Sequence, residues 1–160
     1  MKKAKYGLKP EHVQTASQII AARKAKGLSI PELRFIVSLS SGASSAVATE
    51  RILQVVNPDD VRLVFMDTLW EDDDNYRFLD QLAERWNKRI IRLTNGRNPM
   101  QVGSDENIIP NQKYGICTKR LKIEPFMKYI NHQKRYGYQL VTVLGMNWTE
   151  PHRTVSPYIN

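Results

Sequence analysis

The run RFIVSLSSGASSAVAT, residues 34–49, constrains the fold of this chain more than any other stretch. Apolar Phe35, Ile36, Val37 and Leu39 lead directly into the small residues 40–45, and helix formers follow from Ala46. A short apolar run giving way to helical composition predicts a strand, a tight turn and a helix N-terminus. Such a turn leaves main-chain N–H groups free at the positive end of a helix dipole, a natural seat for a phosphate. Serine hydroxyls add hydrogen bonds, and Gly42 permits positive φ and close backbone approach. The alternative is an ordinary strand-to-helix turn whose serines merely cap the helix.

The same alternation continues along the chain. Residues 11–26 read as a basic-ended helix stopped by Gly27, with Val13, Ala16, Ile19 and Ile20 on one face. A strand over 34–39 and a helix over 45–56 follow, the helix ended by Asn57-Pro58. Residues 61–66 predict a second strand. The acidic run 71–74 favours the start of a third helix, whose apolar face is Tyr76, Leu79, Leu82, Ala83 and Trp86. A third strand spans 89–94, a fourth helix 123–135 and a fourth strand 139–144. Residues 95–115 carry Gly, Pro and Asn with no sustained period and read as a long loop. The chain divides into a basic N-terminal segment with its helix, 1–32, and one α/β domain, 33–160.

This order predicts an α/β protein: a Rossmann-like three-layer α/β/α sandwich around a mainly parallel sheet of four to five strands. In such sheets ligands sit beyond the carboxyl ends of the strands, where the strand order switches. The serine turn follows the first strand, Asp67-Thr68 the second, Asn95-Gly96-Arg97 the third and Gly145 the fourth. All four stretches are therefore expected at one rim.

Composition narrows the class. The net charge of +8 favours anionic partners, either nucleotides or a polyanion such as nucleic acid. No stretch approaches the ~18 consecutive apolar residues of a membrane span, and residues 1–9 lack the apolar core of a secretory signal. No membrane association is expected. The single cysteine, Cys117, excludes an internal disulfide and an all-cysteine iron–sulfur site within one chain, and a reducing cytoplasm is the default. Nothing in the sequence fixes the oligomeric state.

The hexapeptide SSGASS, residues 40–45, resembles the SGGxDS pyrophosphate-binding loop of the PP-loop ATP pyrophosphatases, within the adenine-nucleotide alpha-hydrolase-like group. Asp67-Thr68, the helix start 71–79, Asn95-Gly96-Arg97, the CTKRLK run 117–122 and the EPHR run 150–153 occur in the order seen in phosphoadenosine phosphosulfate (PAPS) reductase-like proteins. The short bacteriophage-type members are most similar, over about residues 33–153. The resemblance implies an adenine nucleotide, ATP or PAPS, as ligand, cleavage of ATP between its α and β phosphates, and Mg2+ if ATP is used. It places Ser40, Ser41, Gly42, Ala43, Ser44, Ser45, Asp67, Thr68, Gly96, Arg97 and Gly145 around the nucleotide, with Asp67, Lys119 and Arg153 as catalytic candidates.

The sequence also departs from that pattern. Ser41 replaces a loop glycine, Ala43 and Ser44 stand where lysine or another residue and then aspartate are usual, and Leu69 follows Asp67-Thr68 where the reductases have glycine. The reductases' reactive cysteine lies in a C-terminal Glu-Cys-Gly-Leu-His tail that has no match here. Direct sulfonucleotide reduction is not expected unless the chain is a fragment of a longer protein or Cys117 substitutes. A catalytically degenerate nucleotide or polyanion binder is therefore the alternative function.

Each candidate has a plainer structural reading. Asp67 either accepts a ribose hydroxyl or metal, or orders its loop. Arg97, Lys119, Arg120, Lys122 and Arg153 are either phosphate clamps or solvated cations. Cys117 is either an activated thiolate beside Lys119 and Arg120 or a small anchor for the loop. The acidic run 71–74 reads as a solvated helix start. His12, His132 and His152 are too scattered for a metal site, and Trp70, Trp86 and Trp148 read as packing residues, with Trp148 the one placed to stack an adenine.

Overall fold

The computed structural model describes residues 21, 24–27, 33–109, 115–147 and 149. Four strands, β1 (Leu33–Leu39), β2 (Val61–Asp67), β3 (Ile90–Thr94) and β4 (Gln139–Leu144), form one sheet in the order β3-β2-β1-β4. Every pairing is parallel, with Val37 beside both Leu63 and Val143 at the centre. The helices are α1 (Ala43–Val55), α2 (Asp73–Arg85), α3 (Pro99–Asp105) and α4 (Glu124–Arg135).

β1 and β2 are central because both their faces are apolar. Each buries five of its seven residues, the near-continuous pattern of a parallel strand covered on both sides. Phe35, Val37, Leu39, Leu63 and Phe65 point to one face, against Ile52 of α1 and Leu79 of α2. Ile36 and Val64 point to the other, against Ile130 and Phe126 of α4. The result is the three-layer sandwich that the alternation predicts. The chain steps from β1 to β2 to β3 in one direction, then returns past both to place β4 beside β1. The strand order thus switches between β1 and β4, and the β1–α1 turn sits at that switch.

Three local expectations need correction. First, the stretch 95–115 is not all loop, since α3 occupies Pro99–Asp105. Asn98 accepts from the Gln101 N–H, the Gln101 side chain accepts from the Asn98 N–H, and Pro99 stands in the first turn. This helix is specified by a capping box and is too short to show a period. Secondly, the last helical segment starts earlier than 123. It begins at Ile116–Thr118, passes through a π-turn at Lys119–Ile123 and continues as α4. Thirdly, α1 starts at Ala43. Of the N-terminal segment, only the end of the expected helix lies among the described residues. There Ala21, Lys24 and Ala25 are helical and Gly27 has φ +67°, as its stop role requires.

Candidate anion-binding site at the β1–α1 turn

The turn that joins β1 to α1 is built by its own serines. The Ser45 side chain is buried, and its Oγ accepts from the Ser40 N–H (3.2 Å) and donates to the Gly42 carbonyl (2.8 Å). The Ser40 hydroxyl reaches Ser45 Oγ at 3.3 Å, and that of Ser41 donates to the Ser40 carbonyl at 2.6 Å. The Gly42 carbonyl also accepts from the Ser45 and Ala46 amides, both at 3.2 Å. Three of the four serine hydroxyls are therefore used inside the turn, and Ser44 alone among them points outward, exposed.

Positive φ falls at Ser41 (+54°) and not at Gly42, which is extended at φ −100°, ψ 156°. This corrects the sequence expectation for Gly42. A left-handed residue in such a turn breaks the extended run of β1 and lets successive amides face one concavity, as in turn-based anion sites. The amides of Ser41, Gly42, Ala43 and Ser44 have no acceptor among the described residues. No side chain caps α1, and its first turn holds no carboxylate. A helix start normally satisfies these donors with a side chain, water or ligand.

The end of β4 closes the back of this turn. A Cβ on Gly145 would stand 2.4 Å from both Cα and N of Ser45 and 2.5 Å from the Ser44 carbonyl carbon. Only a glycine lets β4 approach α1 this closely. At Gly42 the opposite holds, since a Cβ there would meet only Ser40 Oγ, at an ordinary 3.6 Å.

On the neighbouring strand, Asp67 is buried at the end of β2. Its Oδ1 accepts from the Leu69 N–H and from the Tyr76 hydroxyl, each at 2.8 Å. Burial and the Asp67 carboxylate push the Tyr76 phenol up to about 12, so it stays a donor through neutral pH. Through these bonds Asp67 ties the backbone of its loop to α2. Its Oδ2 has no partner among the described residues. Buried Thr68 donates to Glu71 at 2.9 Å, tying the same loop to the approach of α2. Asp72 caps α2 through the Asp74 N–H, and Asp74 pairs with Arg77. The acidic run is thus a helix start. Among the described residues, no group of three or more His, Cys, Asp or Glu side chains could hold a metal ion.

The cationic candidates separate. Arg97, after β3, is held by Asn95 (2.8 Å) and by Asp105 (2.7 Å). Gly96 takes φ +82° as that loop turns, and its N–H is bonded to Thr94. Arg120 is clamped between Glu106 (2.7 Å) and Glu124 (2.8 Å), which keep its guanidinium protonated above its ordinary range. Neither arginine is a free phosphate clamp in this arrangement. Lys119 and Lys122 lie exposed on the π-turn, without a carboxylate partner among the described residues. Half-buried Cys117 has its Sγ 3.9 Å from the Pro99 carbonyl, so it anchors the α3 segment. His132 packs edge-on to Tyr136. Trp86 donates to Glu50 and packs on the core, whereas Trp70 is exposed. Arg153, His152, His12 and Trp148 lie outside the described residues. Sequence reasoning took Tyr76 only as a packing residue. Its hydroxyl role had no local signal, because the partner lies nine positions away.

The fold, the rim and its free amides can now be set against known proteins. The family model for the phosphoadenosine phosphosulfate reductase domain matches residues 34–142, more than half of the chain. The chain belongs to the PAPS reductase domain family. An uncharacterised protein of Methanocaldococcus jannaschii is 31% identical over 98 residues, which are 61% of this chain and 23% of that protein. The chain thus spans about a quarter of that relative's length. The crystal structure of PAPS reductase from Candida auris, in its phosphate complex, superposes with a TM-score of 0.53 at 12% identity, covering 95% of this chain and 88% of that one. That likeness agrees with the doubly covered parallel sheet described above. Among the described residues, no helix is long and apolar enough to cross a membrane.

Proposed function

We propose that this PAPS reductase-family domain binds an adenine nucleotide, PAPS or ATP, by seating its phosphate or sulfate group on the amides of Ser41, Gly42, Ala43 and Ser44. The observation that carries the reading is that these four donors, at the positive end of α1, have no acceptor among the described residues. Family membership supports the ligand class, and the fold neighbour from Candida auris was crystallised as a phosphate complex. Asp67 Oδ2 would accept a ribose hydroxyl or help hold Mg2+, the remaining metal ligands coming from phosphate oxygens and water. Gly96 and Gly145 would allow close approach. Lys119, and Arg153 if its segment reaches the rim, would offset phosphate charge, and Arg97 would serve only on leaving Asp105.

Gly42→Val tests this. The extended φ, ψ of residue 42 suits a β-branched side chain, and the surrounding protein leaves room for it. The fold should therefore hold while the new side chain stands among the free amides. Titration calorimetry with PAPS, ATP, AMP and pyrophosphate should show binding by the parent chain, with affinity reduced at least ~100-fold in Gly42→Val, as when several charge-assisted hydrogen bonds are lost. Equal affinities would remove the turn from the site.

A second reading, binding without turnover, is favoured by Ala43 and Ser44, which bring no charged side chain into the cradle. Pyrophosphate released from ATP in the presence of Mg2+ would decide for cleavage at the α–β bond. Tight binding with no release would decide for a binder.

A further inference from the structure

Opposite the amide cradle, the sheet ends in a row of arginines. Arg34 is the second residue of β1 and Arg62 the second of β2. Side chains alternate along a strand, so these two share the face of Ile36 and Val64, the face covered by α4. Arg89 directly precedes β3 and continues the alternation of Ile91 and Leu93 on that same face. One step beyond the Leu63–Ile90 pair, the parallel register sets Arg62 beside Arg89. Like charges on neighbouring strands repel, so this row works against folding unless an anion meets it.

No carboxylate meets it. Arg77, Arg85, Arg92, Arg97 and Arg120 each have an acidic partner, whereas Arg34, Arg62 and Arg89 have none among the described residues. Arg62 is held by the Asp59 and Val61 carbonyls, not by the Asp59 carboxylate. Arg34 is bonded to Gln133 at 2.7 Å and lies 3.5 Å over the Tyr138 ring. These contacts hold the two guanidinium groups through one terminal nitrogen each, leaving their other donors without an acceptor among the described residues. The charges of Arg62 and Arg34 both reach Tyr129 of α4. The last turn of α4 adds exposed Lys134 and Arg135, and exposed Tyr136 follows it.

We propose that this N-terminal edge of the sheet, on the α4 face, is a docking surface for the phosphate backbone of a nucleic acid, with Arg34, Arg62 and Arg89 at its centre. The cations spread over three strands spaced ~4.8 Å apart, so a chain of phosphates matches them better than one ion does. Arg34 and Arg62, held by their neighbours, suit phosphate contact, and the exposed Tyr136 that follows α4 offers a ring for base stacking. On this face Tyr136 is the one large exposed apolar side chain at the edge among the described residues, which gives a lipid bilayer nothing to bury.

Fluorescence anisotropy with a labelled oligonucleotide, single-stranded and as duplex, tests the surface across a salt series. The parent chain should bind with strong salt dependence. Arg34→Gln/Arg62→Gln/Arg89→Gln should bind at least tenfold more weakly, with the slope of log K on log salt reduced by about 2 to 3. The same triple change to lysine keeps the charge and should keep most of the affinity. Thermal melting of both variants checks the fold, and if the triple glutamine variant does not fold, Arg62→Gln alone must reduce the slope by about 1. PAPS binding should be unchanged throughout, which separates this surface from the cradle. Unaltered oligonucleotide affinity in the glutamine variants would overturn the proposal. So would capture by anionic phospholipid vesicles without oligonucleotide binding.

Discussion

Ser41 and Leu69 have φ of +54° and +56°, in the left-handed region that glycine enters without strain. At these two positions the resemblance implies a glycine that this sequence lacks, and the backbone there adopts a conformation that suits glycine. Leu69 is 47% exposed, and little packing would be lost with its side chain. Leu69→Gly should therefore raise unfolding stability by about 1 kcal/mol in urea denaturation, and Ser41→Gly by less, because it also loses the Ser41 hydroxyl's bond to the Ser40 carbonyl. No gain at either position would mean that the left-handed turn is not under strain. Gly145 is the converse case. Its missing side chain is what allows β4 to touch the first turn of α1, and the obstacle to a Cβ is backbone, which cannot rotate aside. Gly145→Ala should cost about 3 kcal/mol by forcing the two apart, and it should weaken nucleotide binding as well. Wild-type stability in that variant would contradict the close approach.

At the scale of elements, α2 both covers the core and fixes the rim. Leu79 is fully buried against the sheet, and three residues earlier the Tyr76 hydroxyl holds Asp67. Tyr76→Phe keeps the ring and its edge-on contact with Phe65 while removing the donor. The expected loss is about 1.5 kcal/mol, since the bond runs to a carboxylate. Its pH dependence is distinctive. The phenol pKa in the folded chain, about 12, lies above the ordinary value of 10.0. The folded state thus favours the protonated phenol, and that stability is complete below pH 10 and lost as pH rises toward 12. The stability gap between parent and Tyr76→Phe, measured by denaturation at successive pH values, should be constant below pH 10 and close above it. A gap that widens with pH would contradict the hydrogen bond's direction. The strands and long helices were legible in the sequence because burial on one or both faces imposes a period. The turn after β1 was legible because its small residues interrupt that period. Asn98, Pro99 and Gln101 specified α3 by capping alone, which no periodicity reveals. The engagement of Arg97 and Arg120 by Asp105, Glu106 and Glu124 was hidden for a different reason. Ion pairs depend on which elements meet in space, not on neighbours in sequence.

Across the whole molecule, the sheet separates two cores and the two edges proposed to bind ligands. Leu79 belongs to the cluster under α1 and α2, and Ile130 to the cluster under α4. Each is nearly free of solvent, so Leu79→Ala and Ile130→Ala should each cost about 3 kcal/mol, as large-to-small changes in packed cores do. The two side chains lie on opposite faces and share no packing cluster, so their effects should add, with a coupling within about 0.5 kcal/mol in a double-mutant cycle. Their functional effects should diverge. Leu79→Ala loosens the helix that carries Tyr76, so PAPS affinity should fall while oligonucleotide binding holds. Ile130→Ala loosens α4, whose neighbouring Tyr129 and Gln133 face Arg34 and Arg62, so the reverse should follow. Urea denaturation with calorimetry and anisotropy on the three variants measures both statements. A large coupling energy, or equal loss at both edges from either substitution, would show that the sheet transmits repacking between its faces. The nucleotide rim and the arginine edge would then have to be treated as one cooperative unit.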